Sequence, residues 1–229
     1  MELREAVIRH GLSEDAVEPL ARLLAALQAE PDPHTTVATE NLVDVHVADS
    51  LVALEVERLR RATRIADLGA GAGFPGLPLA IALPGAQVDL IESSRRKAEL
   101  IGRLIEAAGI DNARAVPTRA EEWAAGEGGS AYGAVCARAV AALPVLIEYA
   151  APLLEPEGVL IAWKGGRDPD EESRGAVAAE LVGLEPVEVR PVEPYPGSRD
   201  RHLHLYRKVS PTPERFPRRP GMAAKRPLA

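Results

Sequence analysis

Residues 67 to 78 read Asp-Leu-Gly-Ala-Gly-Ala-Gly-Phe-Pro-Gly-Leu-Pro, and few folds can use such a stretch. Arg64 to Leu68 before it has the make-up of a short buried strand. Leu77 to Leu83 after it reads as an apolar helix whose early prolines suit a first turn, where backbone N–H groups have no helical partner. Gly69, Gly71 and Gly73 therefore occupy the strand-to-helix crossover of an α/β unit. Glycines there permit positive φ and allow a ligand to approach the backbone closely. A tight turn that only packs helix on strand is the alternative, but three alternating glycines exceed what a simple turn needs.

The spacing alone does not name a ligand. Gly71-x-Gly73-x-x-Gly76 satisfies the dinucleotide pattern, with Glu92 about 20 residues on for a ribose. A pyrophosphate, however, needs N–H donors at the helix start. Pro75 and Pro78 remove two of them, and Phe74 adds a bulky ring. A cofactor with an adenosine and no phosphate would not miss those donors, which points to S-adenosylmethionine and leaves an NAD-dependent oxidoreductase as the competing reading.

The rest of the chain repeats the alternation of strand and helix. Strands are expected at Ala86 to Glu92, Ala113 to Pro117, Gly133 to Arg138, Gly158 to Lys164, Glu185 to Val192 and Arg201 to Arg207. With Arg64 to Leu68 these make a mostly parallel sheet of seven strands. Helices over Arg95 to Ala108, Leu143 to Leu154 and Asp168 to Val182 should cover both its faces, and Gly109 is a candidate C-cap. Arg201 to Arg207 alternates polar and apolar residues and reads as a half-exposed, antiparallel edge strand. Ahead of the sheet, Glu2 to His10, Ser13 to Gln28 (with Ser13 as N-cap) and Glu40 to Arg61 read as a helical extension. The expected division is residues 1–61, 62–209 and a Pro-rich, irregular tail, 210–229.

Composition restricts function further. No apolar run approaches 18 residues and no signal peptide pattern is present, so a soluble cytoplasmic protein with no membrane partner is expected. The single cysteine, Cys136, lies in an apolar run and fits a buried strand position better than a catalytic thiol, and no metal cluster is expected. The net charge of −7 excludes an indiscriminate nucleic-acid binder, but residues 211–229 carry +4 and leave −11 on the remainder. A negative body with one basic arm suggests a locally directed contact with a polyanion, the alternative being a solvated tail.

In an open parallel sheet the ligand lies beyond the carboxyl ends of the strands. The polar residues there are Asp67, Glu92, Arg138 and Lys164, with Ala120 and Glu121 soon after the third strand. Glu92 is placed to accept ribose hydroxyls. Arg138, ending an apolar strand, must reach water or an anion, such as a cofactor carboxylate or a structural salt-bridge partner. His46, Asp49 and Ser50 share one helical face, which suits a polar helix contact better than a nucleophilic triad. Ala137-Arg-Ala-Val140 stands where methyltransferases acting on amino groups of adenine or cytosine carry an Asn/Asp-Pro-Pro-aromatic motif, and pyrimidine C5 methylation needs a cysteine nucleophile. A nucleophile with a free lone pair, such as guanine N7, remains; it needs no general base.

Together, His46-x-x-Asp-Ser50, Asp67 to Ala80, Arg119-Ala-Glu121, Ala137-Arg-Ala-Val140, Trp163-Lys-Gly165 and Phe216-Pro-Arg-Arg-Pro-Gly221 make the chain resemble the bacterial ribosomal RNA small subunit methyltransferase G (glucose-inhibited division protein B) family over about residues 40 to 229. The resemblance implies a class I, Rossmann-like S-adenosylmethionine-dependent methyltransferase that methylates guanine N7 in 16S rRNA of the 30S subunit, without a metal. Its cofactor positions fall on Gly69, Phe74, Glu92, Ala120, Glu121 and Arg138, beside the turn glycines Gly71 and Gly73. Charge and position put Lys164, Arg199, Arg201, Arg218 and Arg219 toward the RNA, with Arg138, Lys164 and Arg199 as positioning candidates and no catalytic residue assigned; a monomer is expected. The family's Trp-Asn…Asn-Leu-Thr segment is replaced here by Pro31 to Val37.

Overall fold

A computed structural model describes residues 1–33 and 38–229 of the chain. Its seven strands form one sheet in the order β3-β2-β1-β4-β5-β7-β6. They are β1 (Arg64–Leu68), β2 (Gln87–Ile91), β3 (Ala113–Val116), β4 (Tyr132–Arg138), β5 (Leu154–Lys164), β6 (Leu184–Pro191) and β7 (His202–Lys208). Strands β1 to β5 run parallel, and β7 pairs antiparallel with both β5 and β6. The sheet is thus mostly parallel with an antiparallel hairpin at one edge.

The period-two alternation of each strand sorts side chains into two cores. Ile65, Val88, Leu90, Cys136, Ile161, Leu203 and Leu205 face a core shared with the helices Val17–Ala29, Gly76–Ala82 and Arg95–Ala108. Ala66, Leu68, Val135, Ala137, Leu160 and Tyr206 face the other, under the helices Leu143–Ala150 and Pro169–Val182. The N-terminal helix Val17–Ala29 joins the first core through Leu20, Leu23 and Leu27, each worth about 2 kcal/mol by burial. Cys136 is fully buried at the middle of the sheet, and burial pushes its thiol well above the usual range.

Local chemistry sets the element ends. Asp168 caps the helix Pro169–Val182, its Oδ1 accepting the N–H groups of Asp170 and Glu171 at 3.0 and 3.1 Å. Gly109, at φ +67°, ends the helix Arg95–Ala108 in the left-handed conformation. Ser13 makes no capping hydrogen bond; its hydroxyl donates to Asp15, and a 3₁₀ turn precedes the helix Val17–Ala29.

Three expectations are corrected. The run at β7 is not a half-exposed edge strand: it lies between β5 and β6, and Leu203, His204, Leu205, Tyr206 and Lys208 are buried. Its second face is covered because the helix Pro169–Val182 presents Gly175, where a Cβ would stand 2.8 Å from the Tyr206 hydroxyl. The run from residue 40 to 61 is not one helix but a succession of 3₁₀, π and α turns, broken at Val56, whose backbone is extended. Here the guanidinium of Arg138 donates to Val45 O (2.9 Å) and the indole of Trp163 donates to Asp49 O (2.7 Å). Side chains inserted into a carbonyl ladder distort it. Finally, the C-terminal tail, irregular as expected except for the turn of helix Met222–Lys225, is docked rather than a free arm: Phe216 and Ala223 are buried.

Candidate functional site

The sheet reverses its winding between β1 and β4, and a crevice opens at their carboxyl ends. The glycine turn fills one side of it. Gly69, Gly71 and Gly73 have φ of +68°, +59° and +92°, a region where a side chain is strained. At Gly69 a Cβ would meet Val140 at 2.8 Å, whereas at Gly71 it would meet nothing nearer than 3.9 Å, so Gly71 faces open space.

Two carboxylates hold the turn in shape. Glu92, just past β2, accepts the Gly71 N–H (3.0 Å) and the Ser94 N–H (2.7 Å). Asp67 Oδ2 accepts the Gly76 N–H at 2.8 Å, while its Oδ1 is buried with no partner among the described residues. Burial pushes the Asp67 carboxyl up to about 7, against the pull of the Gly76 N–H and Arg138. This geometry decides between the two cofactor readings. The helix that follows begins at Gly76, whose N–H is taken by Asp67, and Pro75 and Pro78 have none to give. A pyrophosphate would meet an internal carboxylate where it needs donors. The acid-lined turn fits a ligand that carries adenosine and positive charge.

Two cavities meet along the loop that follows β4. The smaller, about 230 Å³, is lined by Gly69, Ser93, Ala120, Glu121, Val140 and Tyr149, among others, and also by Ala224 of the tail. The larger, about 430 Å³, is lined by His46, Asp49, Arg138, Lys164, Arg201 and His202, with Trp163 at its wall. Between them stands Ala139, at φ +57°. A non-glycine residue in that conformation costs about 1 kcal/mol and marks a loop whose shape is imposed by its surroundings.

Most of the charges in the larger cavity are paired. Arg138 donates to Asp49 (2.8 Å) and approaches His46 Nδ1 (3.3 Å). Lys164 is bonded to Glu171 at 2.7 Å. Arg201 is the exception, with a buried Nε that has no partner among the described residues. The His46 ring stacks on Phe74 with centroids 4.2 Å apart. Burial, and then the charge of Arg138, lowers its pKa to about 4, so the imidazole is neutral at pH 7.

The structure thus gathers Gly69, Ala120 and Glu121 around the smaller cavity, whereas Gly71, Gly73 and Glu92 are not in its lining and shape the turn that carries Gly69. Phe74 is turned away, onto His46, and lines neither cavity. The anion that Arg138 meets is Asp49. Lys164 and Arg201 come together in the larger cavity, and Arg199 lies exposed outside it. Arg218 is not available to a polyanion: it is bound at 2.6 and 2.5 Å to Glu148, which is 2% exposed. Arg219 is exposed.

Sequence reasoning missed the Asp49 partnership, His202, Tyr149, Glu148 and Ala224. Only Glu148 carried a signal, as a lone acid in the apolar run Leu-Pro-Val-Leu-Ile-Glu-Tyr-Ala, since a buried charge requires a partner. The segment that departs from the family pattern falls partly on residues 34–37, which lie outside the described residues.

Comparison with known proteins agrees with this geometry. The family model for rRNA small subunit methyltransferase G matches residues 16–203. A protein of that name from Rubrobacter xylanophilus is 43% identical over 193 residues, which cover 82% of this chain and 74% of the relative. One from Deinococcus radiodurans is 40% identical over 216 residues, 92% of this chain and 85% of the relative. A solved structure described as a predicted O-methyltransferase from Agrobacterium tumefaciens superposes with a TM-score of 0.55 at 26% identity, covering 72% of this chain and 80% of that one. With a match that spans most of its length, the chain belongs to the rRNA small subunit methyltransferase G family.

Proposed function

We propose that the protein transfers a methyl group from S-adenosylmethionine to N7 of a guanine in 16S rRNA. The observation that carries this reading is the pair of adjoining cavities, one beside the glycine turn with Glu121 and Arg119 in its lining and one that is cationic. S-adenosylmethionine supplies an electrophilic methyl group on a positively charged sulfur. Gly69, Gly71, Gly73, Ala120 and Glu121 form the cofactor's cradle, and Glu92 accepts from its ribose in place of the Gly71 N–H. The Asp67 carboxylate adds negative potential behind the turn. Arg138 closes the cofactor side of the boundary while Asp49 keeps it oriented.

The target guanine enters the larger cavity. Asp49 is the only carboxylate lining it among the described residues, and Arg138 occupies it. His46 is neutral but stacked and held. A site with no free general base suits guanine N7, whose lone pair carries no proton to remove. Catalysis then rests on orientation and electrostatics. Lys164 and Arg201 donate to the base or its phosphate, and Arg199 and Arg219 reach the RNA backbone. Ribosomes place this chemistry in the cytoplasm, and no described helix is long and apolar enough to cross a membrane.

The test is methyl transfer from labelled S-adenosylmethionine to 30S subunits and to 16S rRNA that lack the modification, with the product mapped. Label at a guanine N7 is expected. No incorporation, or a mark on another atom, would overturn the proposal.

A further inference from the structure

The tail that follows β7 lies beyond the residues matched by the family model, which ends at 203. Its basic composition suggested an arm for RNA. Its contacts point inward. Phe216 is buried in the second core and Leu228 packs against the same core. Between them Arg218 makes its two-pronged pair with Glu148, and its second Nη atom also donates to the carbonyl of Arg226, which closes the segment into a loop. Gly221, at φ +77°, turns the chain so that its N–H donates to Glu121 Oε1 at 2.7 Å. Three residues later Ala224 lines the smaller cavity, opposite Gly69, Ala120 and Val140.

From these contacts we infer that residues 216–226 are a wall of the S-adenosylmethionine pocket, acting through Ala224 and through the Gly221 N–H on Glu121. This rests on the cofactor site proposed above and goes beyond it. Glu121 is 7% exposed, and a buried carboxylate is held in place by the donors around it. With Oε1 fixed by Gly221, its Oε2 takes no hydrogen bond among the described residues and is free for a donor on the cofactor. The adenosine amino group is the donor of the right chemistry. Ala224 contributes only a methyl group, so the tail closes the cavity without filling it. The Arg218–Glu148 pair is the anchor that keeps the wall in register.

The test is calorimetric titration of the full chain with S-adenosylmethionine and with its demethylated product. It is repeated on Ala224→Trp, on a chain ending at Pro217, and on Gly71→Asp. Ala224→Trp places an indole in the cavity and leaves the anchor intact. A loss of affinity of tenfold or more is expected for it and for the shortened chain. Removing Arg218 strands Glu148, so the shortened chain is also made with Glu148→Gln, and thermal melting of both reports on the fold. In methyl transfer the wall predicts a raised KM for the cofactor with kcat recovered at saturation. Affinities within twofold of the full chain for both Ala224→Trp and the shortened, folded chain would overturn the inference. So would an unchanged cofactor KM accompanied by a shallower salt dependence of RNA binding, which is the signature of a phosphate-binding arm. If Gly71→Asp also binds normally, the cofactor site itself is misplaced. If it alone loses binding, only the tail is.

Discussion

The two cavities adjoin at the end of β4 and differ in charge. The smaller is bounded by Glu121 and the Glu92-braced glycine turn, with the tail across it. The larger carries Arg138, Lys164, Arg201 and His202. They are divided along four consecutive residues at the end of β4: Arg138 and Ala139 line the larger, Val140 and Ala141 the smaller. The difference teaches that charge is sorted across a very short distance. A polyanionic acceptor finds complementary potential in the larger cavity, whereas the smaller balances one acid, Glu121, against one base, Arg119. The chain's overall negative charge hides this sorting.

The largest test of the division is Asp49→Ala, which removes the acid that pairs Arg138 on the boundary. Leaving this partly buried guanidinium with the Val45 carbonyl but no counter-charge costs about 3 kcal/mol, read as a lower midpoint in denaturant unfolding. An unchanged midpoint would mean that the Val45 carbonyl and His46 suffice to hold Arg138. Next, Gly71→Asp introduces a carboxylate where no atom obstructs a Cβ. Cofactor affinity is expected to fall about 100-fold, about 2.7 kcal/mol, with RNA affinity unchanged in filter binding. A parallel loss of RNA binding would erase the distinction between the cavities. Arg201→Ala should do the reverse, weakening RNA binding by about tenfold and reducing the salt slope by about 1. Cofactor affinity should stay within twofold.

The smallest effect is a pH dependence. Asp67 titrates near 7 when folded, above the usual carboxylate range. Between its unfolded value and 7 the folded chain binds the extra proton, so this group's contribution to stability is full at low pH and is lost as pH rises through 7. Binding a cation has the opposite sign, because it favours the ionised carboxylate. Cofactor affinity should therefore rise by a few-fold from pH 6 to pH 8, about 1 kcal/mol or less, and Asp67→Asn should flatten the trend. A profile that falls over that range would exclude Asp67 from the cofactor's surroundings.

Much of this site was legible before any coordinates. A turn of alternating glycines after an apolar strand has few conformations, and the positive φ of Gly69, Gly71 and Gly73 is a local demand of the backbone. The polar ends of β2, β4 and β5 followed from the strand pattern, and the burial of Cys136 from the apolar run around it. The pairing of charges was not legible. Arg138 with Asp49 and Arg218 with Glu148 join residues 89 and 70 positions apart, and no periodicity relates them. A basic tail looks the same in sequence whether its arginines face phosphates or a buried glutamate.

What the sequence by itself determined is the alternation of strands and helices, the glycine turn and the apolar run that buries Cys136. All of these depend on backbone sterics and hydrophobic period within a few residues of one another. Only the tertiary structure decided that β7 lies inside the sheet, under the helix with Gly175. It alone decided that Asp49 claims Arg138 and that the tail reaches the smaller cavity through Ala224. Burial and ion pairing depend on which surfaces meet, and that is settled when distant segments pack.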